Sequence, residues 1–287
     1  MKRTCHLLVV IVLFSLLALP AMVNAQPSQL VLGMVPSREA SRMIVTLDEL
    51  AEMLTEEIGI PIDAYVATSF TGLIEAMGTG KVDIGIFGPA ALVMAEDRHG
   101  VEIILSSVRR GATSYRSQFN VRADSGIETL EDLRGKTIAF VDPASAGGFQ
   151  FPYVYLLENG IDPETDLTYV FAGAHDAGAI GVINGDFDAS ASFEDVRTDI
   201  VAEYPDVFEE LTILDYTEPI PNDGVGVRAG LERELVEKIQ QAFITIGETE
   251  AGQELFDELY NVTGFAPADG SQYDVVRRTG RVIDERF

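Results

Sequence analysis

From residue 30 onward, short apolar runs alternate with stretches of helical periodicity, and few folds accommodate that alternation. Leu30 to Val35 reads as a strand ended by a turn at Pro36-Ser37. Leu47, Leu50, Ala51, Leu54 and Ile58 recur at helical spacing; Thr46 with Glu49 matches a capping box and Gly59 stops the helix. Strands at 62–66, 82–87 and 101–108 are interleaved with helices at 70–77 and 90–96. An extended segment, 118–121, opens a second unit: strands at 137–141, 167–171, 189–193 and 211–214, helices at 149–158 and 177–184. A strand at 224–228 and helices at 232–249 and 253–260 follow. The order predicts an α/β fold of two lobes, each a mainly parallel sheet flanked by helices. The segments 118–121 and 219–227 are placed to form a two-strand hinge, with 26–117 and 224–287 in lobe 1 and 118–223 in lobe 2.

Residues 1–25 read as a signal peptide rather than as part of the fold. Lys2 and Arg3 precede Leu7 to Leu19, a 13-residue run that is apolar except for Ser15, and Val23-Asn24-Ala25 fits a small-x-small cleavage site. The run is short for a membrane span. The sole cysteine, Cys5, lies before it, so cleavage after Ala25 leaves neither a lipid-anchor cysteine nor a disulfide framework. An exported, periplasmic protein without membrane insertion is expected. With 46 Asp and Glu against 20 Lys and Arg, the net charge is −26, and losing Lys2 and Arg3 makes it −28. That balance excludes a phosphate-backbone binder, so no nucleic-acid partner is expected. Nothing in the pattern calls for a cofactor or a metal, and a monomer is expected.

One loop carries a chemical signal. Asp142-Pro143-Ala144-Ser145-Ala146-Gly147-Gly148 follows a strand and precedes a helix, which sets main-chain amides at a helix start beyond the carboxyl end of a strand. Such amides and the helix dipole favour an anion, and ligands of open α/β sheets sit at that end. The Lys-Ser/Thr pair of a P-loop is missing.

Taken in order, Gly80-Lys81-Val82-Asp83-Ile84, Phe87-Gly88-Pro89-Ala90, Asp124-Ser125-Gly126-Ile127 and the stretch from Asp132 to Phe140 form a recognisable series. It continues with Asp142-Pro143-Ala144-Ser145, Gly173-Ala174-His175-Asp176, Asn184-Gly185-Asp186-Phe187-Asp188-Ala189 and Ile220-Pro221-Asn222-Asp223. The chain resembles the periplasmic substrate-binding proteins of phosphonate/phosphite/phosphate ABC transporters. The resemblance implies the type II periplasmic-binding-protein fold, capture of a small anionic ligand by hinge closure, and delivery to a permease and its ATPase.

The resemblance also nominates site residues. The family's Ser-Thr-Ser-Gly loop corresponds to Ser145, Ala146, Gly147 and Gly148, which keeps the amides and lacks two hydroxyls. The family's first-lobe Tyr corresponds to Phe70 or Leu92, and its Tyr-x-Ser to Tyr115 and Ser117. His175 matches a histidine facing the ligand. Asp223 matches a cleft aspartate that accepts from a protonated ligand oxygen or pairs with an amine, and so rejects sulfate. Glu194 and Asp195 lie where relatives bind an amino end, although a solvated acidic pair is the preferred reading. Asp176 is expected to cap its helix. The alternatives are the same fold binding a small carboxylate, or a sensory binding protein. An enzyme is not expected: past Ala25 the histidines are His99 and His175 alone, and no Gly-x-Ser-x-Gly occurs.

Overall fold

The computed structural model describes residues 27–35, 40–109 and 111–287. The expected signal peptide and the Pro36-Ser37 turn lie outside the described residues. Among these, thirteen strands form three sheets. In chain order they are β1 (Leu30–Met34), β2 (Ile62–Val66), β3 (Ile84–Phe87), β4 (Glu102–Val108), β5 (Ser114–Tyr115), β6 (Ser117–Arg122), β7 (Thr137–Phe140), β8 (Thr168–Phe171), β9 (Ala189–Phe193), β10 (Leu211–Tyr216), β11 (Ile220–Pro221), β12 (Gly224–Val227) and β13 (Gly264–Pro267).

The first sheet runs β13-β4-β12-β3-β1-β2 and the second β10-β6-β9-β7-β8. Strand–helix–strand crossovers make β1 parallel to β2 and β3, and β7 parallel to β8 and β9. The strands that enter from the opposite lobe run the other way: β12 is antiparallel to β3 and β4, and β6 to β9 and β10. A chain returning across the cleft arrives at the end where its neighbours terminate, so each sheet is mixed.

The helix Ala40–Ile58 starts six residues before Thr46, which therefore sits inside it and not at a cap. The reason is Met43, buried one turn ahead of Leu47 and extending the stripe of Leu50 and Leu54. That stripe meets Phe243 and Phe256 on the helices Arg233–Gly247 and Glu250–Tyr260, over the first sheet. A separate core of Phe119, Phe140, Phe149 and Tyr153 covers the second sheet.

The periodicity gave no sign of the helix Asp274–Asp284, which lies across both lobes. Val276 joins the core beneath the helix Pro89–His99. Ile283 joins the second sheet's core, and the Phe287 ring lies 5.9 Å from Tyr153. Arg277 pairs with Glu96 at one end and Arg286 with Asp162 at the other. Among the described residues no helix is long and apolar enough to cross a membrane.

Candidate functional site

Two chain segments connect the lobes, and they are hydrogen-bonded to each other. After β4, Arg109 and Ala112 exchange main-chain hydrogen bonds of 3.0 and 2.8 Å around Gly111, whose φ of 79° suits glycine. The chain then forms β5, antiparallel to β11, with Tyr115 opposite Ile220. Asn222, fully buried, donates its side-chain amide to Ser107 O (3.1 Å) and Ala112 O (2.9 Å). Tyr273 donates to Asn222 O. These bonds fix the stems of Arg109, Tyr115 and Asp223 at the floor of the cleft.

There Arg109 forms an ion pair with Asp223 and lies 5.6 Å from the centre of the Tyr115 ring. Burial first, and then the Asp223 charge, push the Tyr115 phenol far above its usual pKa, so it remains a hydroxyl. A lone carboxylate about 4 Å from a bound anion would cost about 4 kcal/mol at an effective dielectric of 20. Paired with Arg109, the Asp223 carboxylate is not a lone charge.

The second lobe supplies the loop 142–148. Asp142 Oδ1 accepts from Ala144 N, and Asp142 O from Ser145 N, both at 2.8 Å. A π-helical turn, Ala146–Gln150, leads into the helix Phe151–Glu158, with Ser145 as N-cap accepting from Gly148 N at 3.0 Å. Phe149 N and Gln150 N both donate to Ser145 O, and Gly147 N bonds to the Tyr115 hydroxyl. The expected run of open amides is therefore largely engaged, because the wide π-turn brings both Phe149 N and Gln150 N to the Ser145 carbonyl. Ala146 N, at the head of the run, has no acceptor among the described residues.

Opposite, Ser69 caps the helix Phe70–Gly78 by accepting from Gly72 N. The Phe70 N–H reaches across the cleft to the Asp142 carboxylate. Burial raises the Asp142 pKa, opposed by its bonds from Ala144 and Phe70. His175 opens the helix His175–Asn184 and is 6% exposed. Its Nδ1 accepts from Phe193 N at 3.1 Å, so the neutral ring carries its proton on Nε2. The helix starts two residues earlier than expected, so Asp176 is not its cap but lies in its first turn, with Oδ1 on Ala177 N.

Six of the nominated residues, Phe70, Tyr115, Ser145, Ala146, His175 and Asp223, line one cavity of about 40 Å³. Gly147 and Gly148 support it from behind. A Cβ on Gly147 would sit 2.9 Å from the Tyr115 ring, and one on Gly148 would sit 2.3 Å from Val141. Leu92 lies in the core beneath β12. Ser117 is fully buried and donates its hydroxyl to Gly147 O and Ser192 O, bracing the loop. Glu194 faces solvent, 3.3 Å from Arg116, and Asp195 pairs with Arg197.

The sequence reading did not nominate Arg109, Phe193, Val35, Gly88 or Pro89, which complete the lining. Arg109 carried one usable signal: it is a cation in a strongly acidic chain, at the end of a strand and six residues before Tyr115. The lining has two characters. Ser145, Ala146, His175 and Tyr115 offer hydrogen-bond donors, whereas the side chains of Val35, Phe70 and Pro89 offer only carbon.

The family model for the ABC transporter phosphonate periplasmic substrate-binding protein matches residues 32–273. The phosphate-import protein PhnD of Mycolicibacterium smegmatis is 28% identical over 273 residues, covering 88% of this chain and 84% of that one. The phosphonates-binding periplasmic protein of Escherichia coli is 25% identical over 262 residues, covering 89% and 76%. Among solved structures, PhnD1 of Prochlorococcus marinus in complex with methylphosphonate superposes with a TM-score of 0.82 at 18% identity, covering 90% and 99%. With a family match over most of its length and a two-lobed periplasmic-binding-protein fold, the chain belongs to the periplasmic substrate-binding proteins of phosphonate ABC transporters.

Proposed function

We propose that this protein captures a small phosphorus oxyanion between its lobes and delivers it to the permease and ATPase of an ABC importer. It acts in the periplasm as a monomer, after cleavage behind Ala25. The observation that carries the reading is the cavity of about 40 Å³, with donors on one side and carbon on the other. A single water needs about 10–15 Å³ on this measure, so the space suits a few non-hydrogen atoms.

The ligand's oxygens face Ala146 N, the Ser145 hydroxyl, His175 Nε2 and Tyr115. Its fourth substituent faces Val35, Phe70 and Pro89. An oxygen there would be left unpaired, at roughly 1–3 kcal/mol, about 5- to 150-fold in affinity. Phosphite and methylphosphonate, with hydrogen or methyl in that place, fit better than phosphate. The names of relatives span phosphate, phosphonates and methylphosphonate. Closure brings the two halves of this lining together about the paired hinge segments.

Titration calorimetry of the mature chain with phosphite, methylphosphonate, phosphate, 2-aminoethylphosphonate, sulfate and acetate tests this. The expected order places methylphosphonate and phosphite above phosphate, with acetate not binding. Binding of acetate alone, or of none of the phosphorus compounds, overturns it.

A further inference from the structure

We propose that a buried ladder of side chains, Gln118–Asn120–Ser192, decides which nitrogen of His175 carries the proton, by holding the turn after β9 so that the Phe193 N–H meets that ring. The proposal rests on the reading of the cleft as a phosphorus-oxyanion site, because the ring so oriented lines that cavity. The three are positioning residues: none of them lines the cavity itself.

β6 and β9 pair with Gln118 opposite Ser192 and Asn120 opposite Ser190. Phe119 and Ala191, one position along, face the other way into the second sheet's apolar core. The polar four have no exposed surface. The helix His175–Asn184 lies over them, close enough that a Cβ on Gly178 would sit 3.4 Å from Ser190 Cβ. Apolar side chains would fill this space at less cost, since buried amides gain little net free energy even when satisfied.

Hydrogen-bond direction runs one way along the ladder. Asp195 N donates to Gln118 Oε1 at 2.6 Å. Gln118 Nε2 then faces Asn120 Oδ1 at 2.5 Å, and Asn120 Nδ2 donates to Ser192 Oγ at 2.9 Å. Ser192 gives its own proton to Phe193 O at 3.0 Å. A main-chain N–H can only donate, so the first link fixes both amide planes and the hydroxyl after them. Both ends of the ladder close on the same turn. Within it Asp195 is held at a φ of 63°, a left-handed conformation that is costly for a residue other than glycine.

What the turn presents to the cleft is Phe193. Glu194 and Asp195 go to Arg116 and Arg197 instead. The Phe193 ring lines the cavity 4.7 Å from the His175 ring, and its N–H meets His175 Nδ1 at 3.1 Å. An N–H donor at Nδ1 excludes a proton there, so the neutral ring bears it on Nε2. The anion is offered a donor, where the other tautomer would offer it a lone pair.

NMR of isotope-labelled histidine in the ligand-free mature chain tests this at about pH 8, above the usual histidine pKa of about 6.5. His175→Gln identifies the ring's signals. Wild type should show the Nε2–H tautomer alone. Asn120→Leu, which cuts the ladder, and Ser192→Ala, which removes its last link, should show both tautomers. By calorimetry, methylphosphonate affinity should fall about tenfold in Asn120→Leu and about threefold in Ser192→Ala. Added to His175→Gln, either substitution should change affinity by less than about twofold, because the ladder acts through that ring.

A single Nε2–H tautomer in both folded ladder variants overturns the proposal. So does an affinity loss of the same size in the His175→Gln background, which would show that the ladder shapes the lobe as a whole. Melting curves report folding; if Asn120→Leu does not fold, Ser192→Ala decides alone. Wild type that binds no methylphosphonate overturns the reading of the cleft, and the tautomer spectra still decide the ladder.

Discussion

On the first-sheet side the cleft presents Val35, Phe70 and Pro89, which offer its occupant no hydrogen bond, whereas the second-sheet side presents Ser145, Ala146 and His175. The two halves arise from similar strand–helix units, yet one wall carries hydrogen-bond donors and the other apolar side chains. The difference lies in what heads each helix. Ala146 N is left open at the start of its run. The helix Phe70–Gly78 has its Phe70 N–H closed off by the Asp142 carboxylate from the other lobe. The same element, a helix start, thus leaves an amide open on one wall and has its first amide bonded across the cleft on the other.

Four variants would break or sharpen this contrast. The largest effect is expected from Gly147→Val, because even a Cβ there meets the Tyr115 ring at 2.9 Å. Affinity for methylphosphonate should fall on the order of 100-fold by overpacking at the donor wall. Unchanged affinity in a normally folded variant would place the grip elsewhere. Ser145→Ala comes next. It removes the cap on Gly148 N and a hydroxyl of the donor wall, so affinity should drop about fivefold, near 1 kcal/mol. Thermal melting should show a stability loss of about 0.5–2 kcal/mol.

Asp142→Asn tests the opposite wall. Burial raises the Asp142 pKa, so the folded protein holds this proton more tightly than the unfolded chain. The carboxylate therefore weighs against folding above its raised pKa, and that burden lifts as pH falls through it. The amide keeps an acceptor for Ala144 and Phe70 without the charge. Melting temperatures should favour the variant slightly at neutral pH and converge with wild type in acid. A variant less stable at neutral pH than in acid, relative to wild type, would show that the charge itself secures closure. The smallest effect is expected from Glu194→Gln, whose partner Arg116 is as exposed as itself. Surface pairs of this kind contribute about 0–1 kcal/mol, and affinity should stay within about twofold.

Local chemistry explains what was legible beforehand. The alternation of Leu30–Val35, Ile62–Val66 and Val82–Phe87 with amphipathic stretches records burial on a fixed period, so strands and helices could be placed from it. The small residues at 145–148 announce a close backbone approach, and their order marks the loop. What escaped depends on distance along the chain. Arg109 resembles any surface arginine until Asp223 stands beside it. Ser117 looks like a ligand hydroxyl, yet two carbonyls, from residues 30 and 75 positions away, claim its single proton. The count of glycines at 147 and 148 suggested free amides, but hydrogen-bond direction is set by the π-turn, which no composition reveals.

The helix Asp274–Asp284 has a mechanical consequence. Its 11 residues, at 1.5 Å each, make a stiff rod about 16 Å long, seated in one lobe by Val276 and Arg277 and in the other by Ile283 and Phe287. Two bodies joined by a rod of fixed length keep its two anchor points at constant separation. That fixed separation removes one freedom from the relative motions that the two connecting segments alone would permit. A rotation about an axis close to the rod would swing the far rim of the cleft widely while residues near the axis barely shift, so a small angular change there would be geared into a wide mouth.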